Sequence, residues 1–151
     1  MIDGVKIKKL VKHCDDRGFL AEVLRSDENL MKKFGQSTFA KTYPGVIKAF
    51  HWHKRQDDLW FIFEGNAQVV LYDLRKGSPT HKQTQVIFAG EEDLKLILIP
   101  KGVAHGYKVL GHKPLKMIYH TTEAYNPERP DEERLPFNDP EIGFDWETKN
   151  R

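Results

Sequence analysis

Gly45-Val-Ile-Lys-Ala-Phe-His51-Trp-His53-Lys-Arg-Gln-Asp57-Asp58 is the stretch that decides how this chain reads. Successive side chains of a β-strand point to opposite faces, so His51 and His53, two apart, project to the same side. The apolar run ahead of them reads as strand, and Tyr43-Pro44-Gly45 before it as a turn. A third histidine follows in Ile99-Pro-Lys-Gly-Val-Ala-His105-Gly. Together they point to an imidazole-lined pocket. Imidazole titrates near neutrality and also ligates metals, so both proton chemistry and metal binding stay open at this point.

Outward from that stretch the chain is mostly short and strand-like. The segments Val46 to Trp52, Leu59 to Phe63, Ala67 to Tyr72, Thr84 to Phe88, Leu94 to Ile99, Gly106 to Leu110 and Leu115 to Thr121 are rich in β-branched and aromatic residues. Turn formers separate them: Glu64-Gly65-Asn66, Lys76-Gly77-Ser78-Pro79, Ala89-Gly90, Pro100-Lys-Gly102 and Leu110-Gly111. Many short strands at regular spacing predict a sandwich or barrel. One helix is expected near the N-terminus, capped by Ser26, with Asp27 and Glu28 at its positive end, Lys32 and Lys33 at the other, and Gly35 as its stop. From Tyr125 the chain turns polar and proline-broken through Pro136, which predicts a surface excursion. Phe137, Ile142, Phe144 and Trp146 then offer apolar anchors, and Glu147 to Arg151 are expected to fray.

The 151 residues suit one domain, 1–151. Lysine and arginine (24) nearly balance aspartate and glutamate (22), for a net charge of +2, which argues against a dedicated nucleic-acid binder. The single Cys14 cannot form an internal disulfide, which fits a reducing compartment. The N-terminus carries no apolar run of signal-peptide length, and no run is long enough to cross a bilayer, so a cytoplasmic location without membrane association is expected.

Gly45-x5-His51-x-His53-x4-Asp58-x6-Gly65 and the later Pro100-x-Gly102-x2-His105 resemble the signatures of the cupins, with Asp58 where glutamate is usual. Further pieces resemble the dTDP-4-dehydrorhamnose 3,5-epimerase family of nucleotide-sugar cupins. They are Asp15-Asp-Arg-Gly-Phe-Leu-Ala-Glu22, Tyr72-Asp-Leu-Arg-Lys-Gly-Ser-Pro-Thr80, Tyr119 followed by Thr122 and Tyr125-Asn-Pro127, and Asn138-Asp-Pro-Glu-Ile-Gly-Phe-Asp-Trp146. Their order and spacing carry the resemblance. It implies an all-β cupin double-stranded jelly roll, here with one short N-terminal helix. It also implies an isomerase that epimerises a nucleotide-activated 4-keto-6-deoxy sugar, as a 3,5- or 3-epimerase in surface polysaccharide biosynthesis.

By that resemblance His51 is the base that removes a proton beside the sugar ketone, and Tyr119 the acid on the opposite face. His105 lines the pocket, Lys48 and His53 stand at substrate-contacting positions, and Arg17 and Glu22 help hold the nucleotide, partly across a homodimer interface. The partners implied are a nucleotide-diphosphate sugar and a second copy of the chain. The chemistry agrees: a proton alpha to a ketone leaves an enolate behind, and an imidazole of pKa about 6.5 suits its removal near neutrality.

The departures from the family pattern are specific. Asp58 stands where the family usually has a lysine, and Val69 where it has a second pocket aspartate. The carboxylate that orients the base belongs to a C-terminal extension with no counterpart before Arg151. Asp58 or Asp73 is therefore the candidate to orient His51, and Asp58 is the catalytic choice. No cofactor and no essential metal are expected. Three other readings stay open: a 3,4-ketoisomerase, since Phe50-His51-Trp-His53-Lys54 resembles the segment of those cupins, a non-catalytic sugar-binding cupin, and a metal-dependent cupin with His51, His53, Asp58 and His105 as ligands. Trp52, Trp60, Phe61 and Phe63 read as core, and His13, His81, His112 and His120 as surface residues.

Overall fold

The strand-forming runs pair into two facing antiparallel sheets in a computed structural model that describes residues 1–148. Residues 149–151, part of the tail expected to fray, lie outside the described residues. The strands are β1 (Lys6–Lys9), β2 (His13–Asp15), β3 (Gly18–Leu20), β4 (Gln36–Thr42), β5 (Ile47–Trp52), β6 (Asp58–Glu64), β7 (Asn66–Asp73), β8 (Thr84–Gly90), β9 (Lys95–Ile99), β10 (Val103–Leu110), β11 (Leu115–Thr121) and β12 (Glu133–Arg134). One sheet runs β1-β9-β6-β11-β4 and the other β12-β5-β10-β7-β8, while β2 and β3 form a separate hairpin. This is the jelly roll the sequence implied.

Alternation decides what each sheet buries. Along β11, Leu115 and Met117 are buried while Lys116 between them and Ile118 beyond are only half-buried. On β8, Ile87 and Ala89 are buried while Val86 and Phe88 are exposed. The central core takes Ile62, Ile97, Ile99 and Met117 from one sheet and Val69, Leu71, Val103 and Val109 from the other. Each such side chain, fully buried, contributes about 1.5–3 kcal/mol. At the β6–β7 corner, Gly65 sits at φ +69 with Pro114 O only 2.6 Å from where a Cβ would stand, so no side chain fits there.

The expected helix does not form. Only a 3-10 turn, Ser26–Glu28, is present, Arg25 occupies the cap position without a side-chain cap bond, and Asn29 at φ 49 ends the turn. The apolar residues here come in pairs, Val23-Leu24 and Leu30-Met31, without the spacing of a helical stripe. They lie instead on the outer face of the first sheet against Leu59, Leu96 and Leu98. The C-terminal anchors behave as expected on the second sheet, where Ile142 and Trp146 pack on Phe50, Val70 and Tyr72 with Phe144 beside them. Phe137 is exposed and contributes its carbonyl to Trp146 Nε1 at 2.8 Å. His120 is half-buried against Phe34, which corrects its assignment to the surface. Among the described residues no helix is long and apolar enough to cross a membrane.

Candidate active site

Between the two sheets lies a cavity of about 590 Å³, into which the sequence-derived histidines converge. His51 at the end of β5 stands opposite His105 of β10 in the strand register, and His53 follows one residue beyond β5. Strands β5 and β10 approach closely here because Gly106 has no side chain. A Cβ at that position would lie 2.3 Å from Ala49 Cβ. The facing wall comes from the other sheet, with Asp58 and Trp60 on β6 and Met117 and Tyr119 on β11. Lys48 and Tyr107 complete the second-sheet wall.

A third wall was not legible as part of the site. The segment expected to be a surface excursion folds back over the cavity, where Tyr125, Arg129, Asp131, Glu132 and Arg134 line it. The short β12 adds to the edge of β5, with Arg134 opposite His51, and Phe50 exchanges two backbone hydrogen bonds with Leu135 at 2.8 and 3.0 Å. The Asp131 carboxylate accepts from the backbone N–H groups of Lys54, Arg55 and Gln56 at 3.1, 2.8 and 3.1 Å. These bonds fix the segment in register and set Glu132 beside the base.

The outcome is an imidazole–carboxylate pair: His51 Nδ1 lies 3.1 Å from Glu132 Oε1. Burial pushes the His51 imidazole below its ordinary pKa. The Glu132 charge pulls upward, while Arg134 and His53 add to the depression. The ring is therefore neutral at pH 7, and with Nδ1–H donating to Glu132 its lone pair sits on Nε2. Burial works against the charged form of Glu132, but the Arg134 hydrogen bond at 2.7 Å and the nearby His51 and Arg134 charges hold it below the usual carboxylate range.

Glu132, not Asp58 or Asp73, is thus the carboxylate on His51. Asp58 is nearly buried, accepting from Gln56 Nε2 at 2.8 Å and Trp60 Nε1 at 3.2 Å. Its oxygens face His53 Nε2 at 3.7 Å and His105 Nε2 at 3.6 Å, because β6 approaches the histidines from the opposite sheet, where His51 is already taken by the segment behind it. Burial pushes the His105 imidazole down to about 4. Asp73 is fully buried elsewhere. Burial opposes its charge, yet hydrogen bonds from Arg75, Ser78 and Thr80 hold its carboxyl well below the usual range, so it closes the turn after β7.

The four-residue ligand set also comes apart. His53, Asp58 and His105 each bring a ligating atom within 4.8 Å of the other two, and His51 is outside the group. Arg17 and Glu22 do not reach the cavity of their own chain. Arg17 projects from the β2–β3 turn, paired with Asp15 at 2.5 Å, and Glu22 pairs with Arg25 at 3.0 Å. Glu132 did carry one sequence signal, since Asp131-Glu132-Glu133 is an acidic run within the polar, proline-broken segment.

A profile of the dTDP-4-dehydrorhamnose 3,5-epimerase family matches residues 1–151. The chain is 62% identical over 151 residues to the spore coat polysaccharide biosynthesis protein SpsL of Bacillus subtilis, covering 100% of both chains. It is 37% identical over 150 residues to a probable low-salt glycan biosynthesis epimerase of Haloferax volcanii, covering 98% of this chain and 96% of that one. Among solved structures it is similar to the Legionella pneumophila dTDP-6-deoxy-D-glucose-3,5-epimerase in complex with dTDP-4-keto-L-rhamnose. That likeness has a TM-score of 0.85 and 32% identity, covering 96% of this chain and 79% of that one. With the profile spanning every residue and the jelly roll and its histidine-lined cavity in place, the chain belongs to the dTDP-4-dehydrorhamnose 3,5-epimerase family and is an isomerase.

Proposed function

We propose that this chain epimerises a nucleotide-activated 4-keto-6-deoxy sugar at C3, or at C3 and C5, in surface polysaccharide biosynthesis in the cytoplasm, as a single-domain protein. The observation that carries the reading is the His51–Glu132 pair on one wall of the cavity with Tyr119 on the other. His51 Nε2 takes the proton from the carbon beside the C4 ketone, and the C–H electron pair passes into an enolate. Glu132 holds the ring in the tautomer that leaves Nε2 free and stabilises the imidazolium that forms, as the carboxylate of a catalytic triad does. Tyr119, on the facing sheet, delivers a proton to the other side of the same carbon, which inverts it. Lys48 and His105 stand in the wall as groups to contact the substrate.

The nucleotide is proposed to be completed by a second copy of the chain. The β2–β3 hairpin carries Arg17 together with Phe19 and Leu20, both more than half exposed, away from its own cavity. An apolar, arginine-bearing hairpin of this kind suits insertion into a neighbour, and two-fold symmetry is the commonest way to close such an exchange.

The test is solvent deuterium exchange. Wild-type protein incubated with a dTDP-4-keto-6-deoxyglucose substrate in heavy water should exchange the C3 hydrogen, and the C5 hydrogen too if both centres invert. His51→Asn, still folded by circular dichroism, should exchange neither. Near-normal exchange by that variant would remove His51 as the base.

A further inference from the structure

We propose that His53, Asp58 and His105 form a site for one divalent first-row cation, zinc by the chemistry of its donors, with a coordination position open to the cavity. No essential metal was expected because the base must be a free imidazole, and His51 lies outside this group of three, so a cation here leaves the base free.

The first argument is tautomeric. His105 Nδ1 is bonded to Val103 O at 3.0 Å, and His53 Nδ1 to Asp131 O. A carbonyl oxygen only accepts, so Nδ1 carries the proton on each neutral ring and the lone pair is on Nε2. Both Nε2 atoms face Asp58, at 3.7 and 3.6 Å, beyond hydrogen-bond reach. Each Asp58 oxygen also accepts one hydrogen bond, Oδ1 from Gln56 and Oδ2 from Trp60, which orients the carboxylate between the two rings. The two Nε2 atoms and the Asp58 carboxylate thus converge on one point of the cavity wall.

The second argument is burial. His53, Asp58 and His105 are only 8%, 4% and 3% exposed, so water screens this convergence poorly. A cation set among these donors is held with little screening. The third is fit. Zinc bonds of about 2.0–2.1 Å in a tetrahedron place donors roughly 3.3–3.4 Å apart. One ligating atom from each of the three residues lies within 4.8 Å of the other two, so side-chain adjustments of at most about 1.5 Å bring them to that spacing. Two histidines and a carboxylate are a common catalytic zinc set, and the main-chain carbonyls behind both rings are the outer partners that orient metal-binding imidazoles. Three protein ligands leave a fourth position, and all three residues line the cavity. A substrate oxygen would be taken there, beside the His51 base and not in competition with it. The site stands or falls independently of the epimerase reading, because its test reads binding.

The experiment uses the full chain, stripped with a chelator and dialysed. Titration with zinc sulfate by calorimetry should give one equivalent per chain at micromolar Kd or tighter. Cobalt(II) should develop the visible bands of a four-coordinate site. Asp58→Asn and His53→Gln should each bind roughly 100-fold more weakly or worse, while His51→Asn and Glu132→Gln keep wild-type stoichiometry and affinity. Absence of saturable zinc binding by the wild type overturns the proposal whatever the variants do. So does binding that survives both ligand substitutions unchanged, or that is lost on replacing His51.

Discussion

Replacing Glu132 with glutamine keeps the shape beside His51 and removes the charge, so it isolates the contribution of the carboxylate to the base. A hydrogen bond to a charged group contributes about 1.5–3 kcal/mol. Here the two side chains are 34% and 30% exposed, and solvent screening holds the value to the lower part of that range, about 1.5–2 kcal/mol. At about 1.4 kcal/mol per decade, exchange on the plateau should fall roughly 10- to 30-fold. The pH profile adds an independent sign. The base works as neutral imidazole, so exchange rises with pH through the His51 pKa. The Glu132 charge raises that pKa, and its loss moves the acid limb to lower pH. A lower plateau with an acid limb shifted downward is therefore the signature, read by proton NMR of deuterium uptake beside the ketone. Thermal unfolding should change little for this half-exposed pair. An unchanged plateau, or an acid limb that moves upward, would refute the pairing of Glu132 with the base.

Tyr119→Phe should let exchange on the His51 face persist while net inversion fails, measured as deuterium uptake against product formation; equal, near-wild-type values in both would remove Tyr119 from the mechanism. Asp73→Asn strands Arg75 beside a fully buried position, at a cost of about 3 kcal/mol, and should lower the thermal midpoint by roughly 6–12 °C at neutral pH. Because the folded Asp73 carboxyl lies below its unfolded value of about 3.9, its contribution is complete above that pH and fades as pH falls below it, so wild type and variant should converge in acid. Sedimentation at micromolar concentration should give a dimer. A chain that stays monomeric there would count against a role for Arg17 in a neighbour's cavity.

The local patterns in the chain determined a sandwich or barrel of short strands and half of the site, and the resemblance to the cupins supplied the jelly roll. Alternating side chains and glycine-marked turns depend on nearest neighbours along the chain, so seven strands and the shared face of His51 and His53 were readable from sequence. Strands β1, β2, β3, β4 and β12 were not; of these, Lys6–Lys9 and Glu133–Arg134 are polar and become strands only by pairing with β9 and β5. The helix expected after Ser26 failed for the complementary reason, since caps and charges supported it locally but the paired apolar residues Val23-Leu24 and Leu30-Met31 are buried by a sheet face instead. The division was sharpest at the histidines. Their presence in one cavity followed from spacing, but the allocation of carboxylates did not. Glu132 reaches His51 across 81 positions of chain, and Asp58, only seven from His51, turns to His53 and His105. Which anion meets which imidazole depends on sheet pairing and on where the Asp131 hydrogen bonds pin the returning segment, and only the tertiary structure fixes those.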